Sequence, residues 1–261
     1  MLENLFADPS ALLLFALIGF SAQLVDGALG MAFGQISSTI LISIGVPPAA
    51  ASAGVHTAET FTTAVSAVSH VAHKNVDWKL FFRLAIPGII GGILGAYVLT
   101  TIDASTAKPF VLVYLTALGL YLFYRGVMHR HTERRPKIVS PLGLMGGFLD
   151  AAGGGGWGGI VTSNLLVQGS NPRKTIGTVN TAEFFLTITI SATFLATFTL
   201  TGSEADRELL IRAIVGLVAG GVVAAPFGAM IAKRVNPDTL LTFVGALLTV
   251  VSMYGLYRAL G

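Results

Sequence analysis

Long apolar runs recur along the whole chain and are separated by short polar loops. They cover residues 11–20, 84–99, 110–124, 211–230 and 240–257. A helix needs about 20 residues to cross a bilayer, and only 11% of the chain is charged, against about 25% in a soluble domain. Because so few charges cannot cover a water-facing surface, the sequence predicts an all-α polytopic membrane protein. The runs are too long and continuous for the alternating strands of a β-barrel.

The charges and the missing residue types exclude several functions. The formal net charge is +3, and the basic residues lie at helix ends and in one loop, as membrane orientation requires. We therefore expect contact with membrane lipid and no binding of nucleic acid. The chain has no cysteine, which excludes disulfide and thiolate chemistry. It has no Walker motif and no metal-ligand pattern, so we expect no metal and no cofactor. A homodimer is left open.

The phrase Thr-Ala-Glu occurs twice, about half a chain apart. It places Glu59 in one apolar stretch and Glu183 in another. A carboxylate inside a membrane-length segment is costly and tends to mark an ion or substrate path. Two carboxylates at equivalent points of an internal repeat predict one site built by both halves, a common plan in secondary transporters. The other similar pairs are Gly19-Phe20 with Gly147-Phe148, and the segments that begin at Gly95 and Gly228.

Each half is predicted to contain a broken segment followed by three spans. In the first membrane repeat, residues 1–130, the broken segment covers 10–45 and the spans cover 50–72, 79–100 and 107–128. In the second membrane repeat, residues 140–261, the broken segment covers 140–168 and the spans cover 174–200, 208–232 and 238–258. Residues 131–139 form a basic cytoplasmic loop between them.

Loop charges predict that the two repeats are inverted. The loop after the first Thr-Ala-Glu span is basic, with Lys74 and Lys79, whereas the loop after the second is acidic, with Glu204, Asp206 and Glu208. Because basic loops lie in the cytoplasm, these placements agree only if each broken segment enters the membrane and returns to the same side. Each is then a helical hairpin, the two repeats have opposite orientations, and both termini lie outside.

A run of glycines, Gly153 to Gly156, interrupts the second hairpin. Each glycine costs a helix about 1 kcal/mol relative to alanine, so the helix should break here. Unwound backbone at membrane depth occurs only inside protein or beside a wet cavity. The half-helix that follows offers free N–H groups to an anion, although close helix packing is a structural alternative. In the first break, Asp26 is expected either to cap the second half-helix or to carry protons.

Polar residues around the breaks and before the glutamates complete the candidate substrate site. Hydroxyl and amide groups suit an oxyanion, and they equally suit hydrogen bonds between membrane helices. The candidate substrate-binding residues are Gln35, Ser37, Ser38, His56, Thr57, Gly154, Gly155, Gly156, Trp157, Ser163, Asn164, Asn180 and Thr181.

Glu59, Glu183 and Asp26 are the candidate proton-coupling residues. Both glutamates lie several residues from a span end, too far to reach water easily. Because burial disfavours the charged form of a carboxyl group, and a nearby anion disfavours it further, protonation should accompany anion binding. The structural alternative is a carboxyl group that only bonds to a neighbouring break.

Residues 147–183, which carry the glycine run and the second Thr-Ala-Glu, resemble the TauE/SafE family of membrane permeases, as do residues 70–96. The resemblance covers nearly the whole chain. It implies export of sulfite or small sulfonates across a bacterial inner (plasma) membrane. Many members of that family have a glycine run and then a proline in both breaks. Here the first break has no run, and Ser163-Asn164 stand where the second proline would fall.

The sequence therefore predicts a secondary active transporter, and no enzyme, that exports a small oxyanion such as sulfite or an organosulfonate. It would work by alternating access and be coupled to protons. An anion channel is the first alternative. An intramembrane enzyme using Glu59, Glu183 and His56 is a weaker one, because no nucleophile–base pattern accompanies them. A structural membrane subunit is disfavoured by the polar residues inside the spans.

Overall fold

The computed structural model describes residues 10–29, 31–128, 136–201, 204–232 and 237–260, which form helices joined by short turns and loops, with no strand among them. Most of the predicted basic loop and both termini lie outside these residues. The elements in chain order are α1 Ser10–Leu29, α2 Phe33–Ser43, α3 Pro48–Ala72, α4 Trp78–Thr101, α5 Ala104–Val127, α6 Ser140–Gly153, a π-helical segment Gly158–Thr162, α7 Ser163–Val167, α8 Pro172–Thr201, α9 Glu204–Ala232 and α10 Pro237–Leu260.

Each observed helix agrees with its predicted span to within about one turn, and local residues explain where several begin. Proline is the first residue of α3, α8 and α10, a position where its missing N–H costs nothing. The α4 helix begins after Asp77, whose Oδ1 accepts hydrogen bonds from the amides of Lys79 at 3.0 Å and Leu80 at 3.1 Å. Both predicted broken segments are helix pairs with an interruption between them.

The outer surface is apolar, as a lipid-facing surface must be. Four helices of the described part are long and apolar enough to cross a membrane: Trp78–Thr101, Ala104–Val127, Lys174–Thr197 and Leu241–Leu260. Large apolar side chains point outward along them and their neighbours, including Val65, Phe110 and Tyr257, each more than two thirds exposed. Contiguous apolar surface of this extent is not found on soluble monomers. The chain is a multi-pass membrane protein.

Glycines bring two pairs of helices into backbone contact. The α1 helix packs against α9, and α6 packs against α4. A Cβ added to Gly220 of α9 would lie 2.7 Å from the backbone nitrogen of Phe20, and one added to Gly143 of α6 would lie 2.7 Å from the carbonyl oxygen of Leu84. Small residues of this kind are how membrane helices approach closely without a hydrophobic driving force between them.

The helices that carry Thr-Ala-Glu, α3 and α8, cross as an antiparallel pair. The ring of His56, early in α3, lies 6.5 Å from the ring of Phe194, late in α8. Beyond the other end of α3, the amide of Asp77 donates to the Thr178 hydroxyl at 2.8 Å. The α5 and α10 helices also pack together. The hairpins α1–α2 and α6–α7 lie between these pairs, so both breaks are buried at the centre.

Candidate functional site

The two hairpin breaks meet at the centre of the molecule. A Cβ on Gly155 would lie 2.6 Å from the amide nitrogen of Gln35 and 2.8 Å from the Cα of Gly34, so a side chain does not fit between the breaks. The Ser38 hydroxyl donates to the Gly154 carbonyl across this contact. Gly154, Gly155 and Gly156 all have positive φ, a conformation that glycine adopts without steric cost.

An aspartate of the same hairpin binds the start of each second half-helix. The Asp26 carboxylate accepts a hydrogen bond from the Phe33 amide at 3.3 Å, and the Asp150 carboxylate accepts one from the Trp157 amide at 2.8 Å. Each aspartate lies seven residues before the amide that it binds. Such carboxylates satisfy free N–H groups at a helix N-terminus. Capping by Asp26 is therefore confirmed.

Glu59 reaches the same helix end from a different element. A Cβ built on Gly34, the second residue of α2, would lie 2.9 Å from Oε1 of Glu59, so this carboxylate lies directly against the helix end. Glu59 is buried, with 6% of its surface exposed. The N-terminus of α2 thus has its Phe33 amide bound by Asp26 and a second carboxylate, that of Glu59, packed beside it. The sequence predicts that half-helix amides of this kind bind a substrate anion.

His56 connects the first repeat to the second hairpin. Its Nε2 lies 3.0 Å from Oδ2 of Asp150, and both side chains are buried. Its Nδ1 lies 2.7 Å from the carbonyl oxygen of Ser52, one turn earlier in α3. The Ser52 hydroxyl in turn donates to the carbonyl of Ala151 at 2.7 Å. Two side chains of α3 therefore hold the end of α6 in place.

The centre of the molecule is rich in acids. Glu183, with 8% of its surface exposed, lies within electrostatic range of Glu59, Asp150 and Asp26. Four carboxyl groups thus surround the meeting point of the breaks, and His56 lies among them. Like charges so close in a low-dielectric interior repel strongly. A further negative charge at this centre is therefore costly while these carboxyl groups are ionised.

Three of the predicted substrate-binding side chains form hydrogen bonds to carbonyl groups one turn earlier in the chain. The hydroxyls of Thr57 and Thr181 donate to carbonyls one turn earlier, each at 2.7 Å. Asn164 Nδ2 likewise donates to Ile160 at 2.7 Å, and Asn164 lines a cavity of about 240 Å³ beside Tyr114. In this conformation these three side chains therefore bond to the backbone of the preceding turn.

Two predicted residues of α2 have buried polar atoms with no hydrogen-bond partner: Gln35 Nε2 and Ser37 Oγ. Buried polar groups are normally paired, so these donors are free to bind a polar ligand. Trp157 is fully buried, and its Nε1 donates to the carbonyl of Val179 at 3.2 Å. Ser163 and Asn180 are also buried. Within the described ranges, no three histidine or acidic side chains converge in a way that would hold a metal ion.

Sequence reasoning missed Asp150, Ser52 and Tyr114, whose hydroxyl donates to the Gly155 carbonyl at 3.2 Å. A signal for Asp150 was present. Asp26 and Asp150 are 124 residues apart, as are Glu59 and Glu183, and each aspartate precedes an aromatic-glycine pair by seven residues.

In its packing, Gly19 is matched by Gly143, which lies one helical turn before the Gly147 that the sequence comparison paired with it. Gly19 packs against the Leu217 backbone, and it is Gly143 that packs against the Leu84 backbone in the same way. A repeat of glycines every few residues allows such a slip in a comparison of sequences.

Known proteins resemble this chain over most of its length. The family model described as "Sulfite exporter TauE/SafE" matches residues 15–255. The chain is 40% identical over 249 residues to the "Probable membrane transporter protein YtnM" of Bacillus subtilis (strain 168), covering 92% of this chain and 81% of that protein. It is 25% identical over 218 residues to a "Probable membrane transporter protein" of Haemophilus influenzae, covering 81% of each.

A more distant relative matches a shorter segment. "Sulfite exporter TauE/SafE family protein 3" of Arabidopsis thaliana is 24% identical over 111 residues, which is 42% of this chain and 23% of that protein. No solved structure matches the chain. The family match spans both hairpins and both glutamate-bearing helices, which build the buried centre described above. The chain belongs to the sulfite exporter TauE/SafE family, a family of membrane transporters.

Proposed function

We propose that this chain is a secondary active transporter that exports a small oxyanion, sulfite or an organosulfonate, by alternating access in a bacterial inner membrane. The observation that carries the proposal is the meeting of two half-helix N-termini at a buried centre. There, main-chain amides already bind oxygen anions, in the form of the carboxylates of Asp26 and Asp150, and the Glu59 carboxylate lies against Gly34. Membership of a transporter family favours transport over catalysis.

Proton coupling follows from competition for these amides. A charged carboxylate binds an N–H group more strongly than a neutral carboxyl group does. If Glu59 takes up a proton, its negative charge beside the N-terminus of α2 is removed, and an oxyanion can take its place. The unpaired donors of Gln35 and Ser37 are available on the same half-helix. Glu183 would play the corresponding part in the second repeat. Substrate and proton would then bind together and leave together.

Alternating access requires two halves that can exchange roles. The helix pairing supports an inverted repeat, because exchanging the halves exchanges the α1–α9 pair with the α6–α4 pair. The same exchange maps the α3–α8 pair onto itself, and likewise α5–α10. Ala32 and Gly156, 124 residues apart, both have positive φ just before a half-helix. Inverted repeats of broken helices are a frequent plan for alternating access around a central site.

The transport test uses purified protein in liposomes with an imposed pH gradient. We expect accumulation of sulfite or a sulfonate, abolished by an uncoupler and reduced at least tenfold by Glu59→Gln. Sulfate, thiosulfate, sulfoacetate and taurine define the range of substrates. Asp103→Asn, which removes an exposed carboxyl group from the loop before α5, is the matched control and should leave uptake unchanged. Failure of every sulfur oxyanion and sulfonate would refute the substrate class.

An anion channel is the second candidate, since an acid-gated pore would also show pH dependence. Counterflow separates the two. A carrier preloaded with unlabelled substrate accelerates entry of labelled substrate, whereas a channel does not. We expect trans-stimulation, because both breaks are packed against each other with no space for a side chain at Gly155. Equal entry rates with and without preloading would favour the channel.

A further inference from the structure

The ion pair between His56 and Asp150 joins the two halves of the molecule at one point. His56 belongs to α3 of the first repeat, and Asp150 lies near the end of α6 in the second hairpin. Their side chains, 3.0 Å apart at Nε2 and Oδ2, are 0% and 3% exposed. Removing one partner of such a buried pair leaves an uncompensated polar group. The pair is therefore strongly constrained to stay together.

The bonds around His56 determine how many protons the pair contains. A carbonyl oxygen can only accept, so the 2.7 Å contact with Ser52 requires that Nδ1 carries a hydrogen. The contact between Nε2 and Asp150 then needs one more proton, which is bound either to the imidazole or to the carboxyl group. If that proton is lost to water, the lone pair of Nε2 faces a carboxylate oxygen. The contact becomes repulsive and opens.

The contact between His56 and Asp150 is connected directly to the second break. The other oxygen of Asp150 binds the Trp157 amide at 2.8 Å, and its main-chain carbonyl accepts from the Gly155 amide at 2.8 Å. Asp150 thus connects to both ends of the unwound segment. A movement of Asp150 away from His56 must move the glycine break or break these bonds.

The first hairpin has no histidine–aspartate pair at the corresponding position. The residue 124 positions after His56 is Asn180, and the residue 124 positions before Asp150 is Asp26. An amide side chain gains and loses no proton in the physiological range. The second hairpin therefore has a proton-dependent contact, between His56 and Asp150, and the first hairpin has Asn180 at the position that corresponds to His56.

We propose that His56 and Asp150 form a one-proton latch on the second hairpin, and that the loss of its shared proton triggers the movement of this hairpin in the transport cycle. The proposal rests on the proposed transport function for its role, but the latch itself is testable without substrate. The ionisable groups that face the pair are Glu59 from α3, Asp26 from α1, Glu183 from α8 and Tyr114 from α5.

The test measures the opening of each hairpin as a function of pH. Since the chain has no cysteine, single cysteines can be introduced at Ile160 in the second hairpin and Ile40 in the first, both partly buried. Their rates of reaction with a maleimide are divided by the rate at an exposed cysteine placed at Asp103, which removes the intrinsic pH dependence of the thiol.

We expect the normalised rate at position 160 to rise several-fold from pH 5 to pH 9, with little change at position 40. In His56→Gln and in Asp150→Asn, the rate at position 160 should become independent of pH, because neither pair can exchange the shared proton. His73→Gln, an exposed histidine of the α3–α4 loop, is the matched control and should keep the pH dependence. Thermal unfolding midpoints identify any variant that does not fold.

Two results would overturn the latch. One is a pH-dependent rate at position 160 that persists in either folded variant, and the other is an equal change at positions 40 and 160. Neither depends on the identity of the substrate, so they are distinct from a failure of sulfite or sulfonate transport. A protein that transports sulfite but shows no latch would keep the proposed function and lose this inference.

Discussion

Asp26 and Asp150 hold the same position in their hairpins, yet their surroundings give them different tasks. Each binds the first amide of a half-helix, seven residues away. Asp150 also contacts His56, whereas the residue equivalent to His56 beside the other hairpin is Asn180. An identical local motif thus serves as a simple helix cap in one half and as part of an ionisable pair in the other.

The capping role of Asp26 predicts a clear difference between two substitutions. Asp26→Asn keeps a side-chain oxygen that can accept from the Phe33 amide, so the midpoint of thermal unfolding in detergent should change little. Asp26→Ala removes the acceptor and should lower stability by about 1 kcal/mol, the typical value of an N-cap. Equal destabilisation by both would indicate that the negative charge matters, and would favour a proton-coupling role.

Close contact between helix backbones determines how the hairpins are attached to the long helices. The α1–α9 and α4–α6 pairs depend on glycines that face the backbone of the neighbouring helix. Because no side chain separates them, each pair should move as one body. A transport movement is then expected at the contacts between hairpin breaks, α3 and α8, and not within these pairs.

Two adjacent glycines of α9 provide a matched test of this contact. A Cβ on Gly220 would lie 2.7 Å from the Phe20 backbone nitrogen, whereas one on Gly221 would lie 3.5 Å from the Phe33 ring, an ordinary contact. Gly220→Ala should therefore lower stability by roughly 1–3 kcal/mol, as overpacking does, and reduce transport. Gly221→Ala should be tolerated. Equal unfolding midpoints for the two variants would contradict the prediction.

At the scale of the whole molecule, the proposed inversion of the repeats has a direct consequence for orientation. In the proposed repeat α4 and α9 are equivalent, and their N-terminal turns contain Lys79, the second residue of α4, and Glu208, the fifth residue of α9. If the repeats are inverted, these turns lie on opposite faces of the membrane. The Glu208 side chain bonds to Arg212 at 2.5 Å, one turn later, so the turn is well formed.

Labelling of single cysteines in intact cells tests this orientation. An impermeant maleimide should react with Glu208→Cys from outside and with Lys79→Cys only after the cells are permeabilised. Asp103→Cys, at the other end of α4, should react from outside and shows that the helix crosses the membrane. Reaction of the cysteines at 79 and 208 from the same face would exclude the inverted repeat.

Sequence reasoning predicts much of this molecule because its fold depends on strong local signals. Glycine runs mark Gly153 to Gly156 as a break, and Pro48, Pro172 and Pro237 mark helix starts. The hydroxyls of Thr57 and Thr181 bond within their own helices and not between helices, since a hydroxyl on a helix can always bond one turn back. Asp150 was overlooked because the glycines around it suggested a shifted comparison of the halves.

The sequence by itself determined an all-helical membrane protein with two broken hairpins and a pair of buried glutamates. These follow from hydrophobicity, helix propensity and the cost of a charge in lipid, which act residue by residue. Only the tertiary structure decided that the half-helix amides are already bound by carboxylates, and that His56 meets Asp150. Those contacts join residues as far as 94 positions apart, and they depend on which backbones the glycines allow to touch.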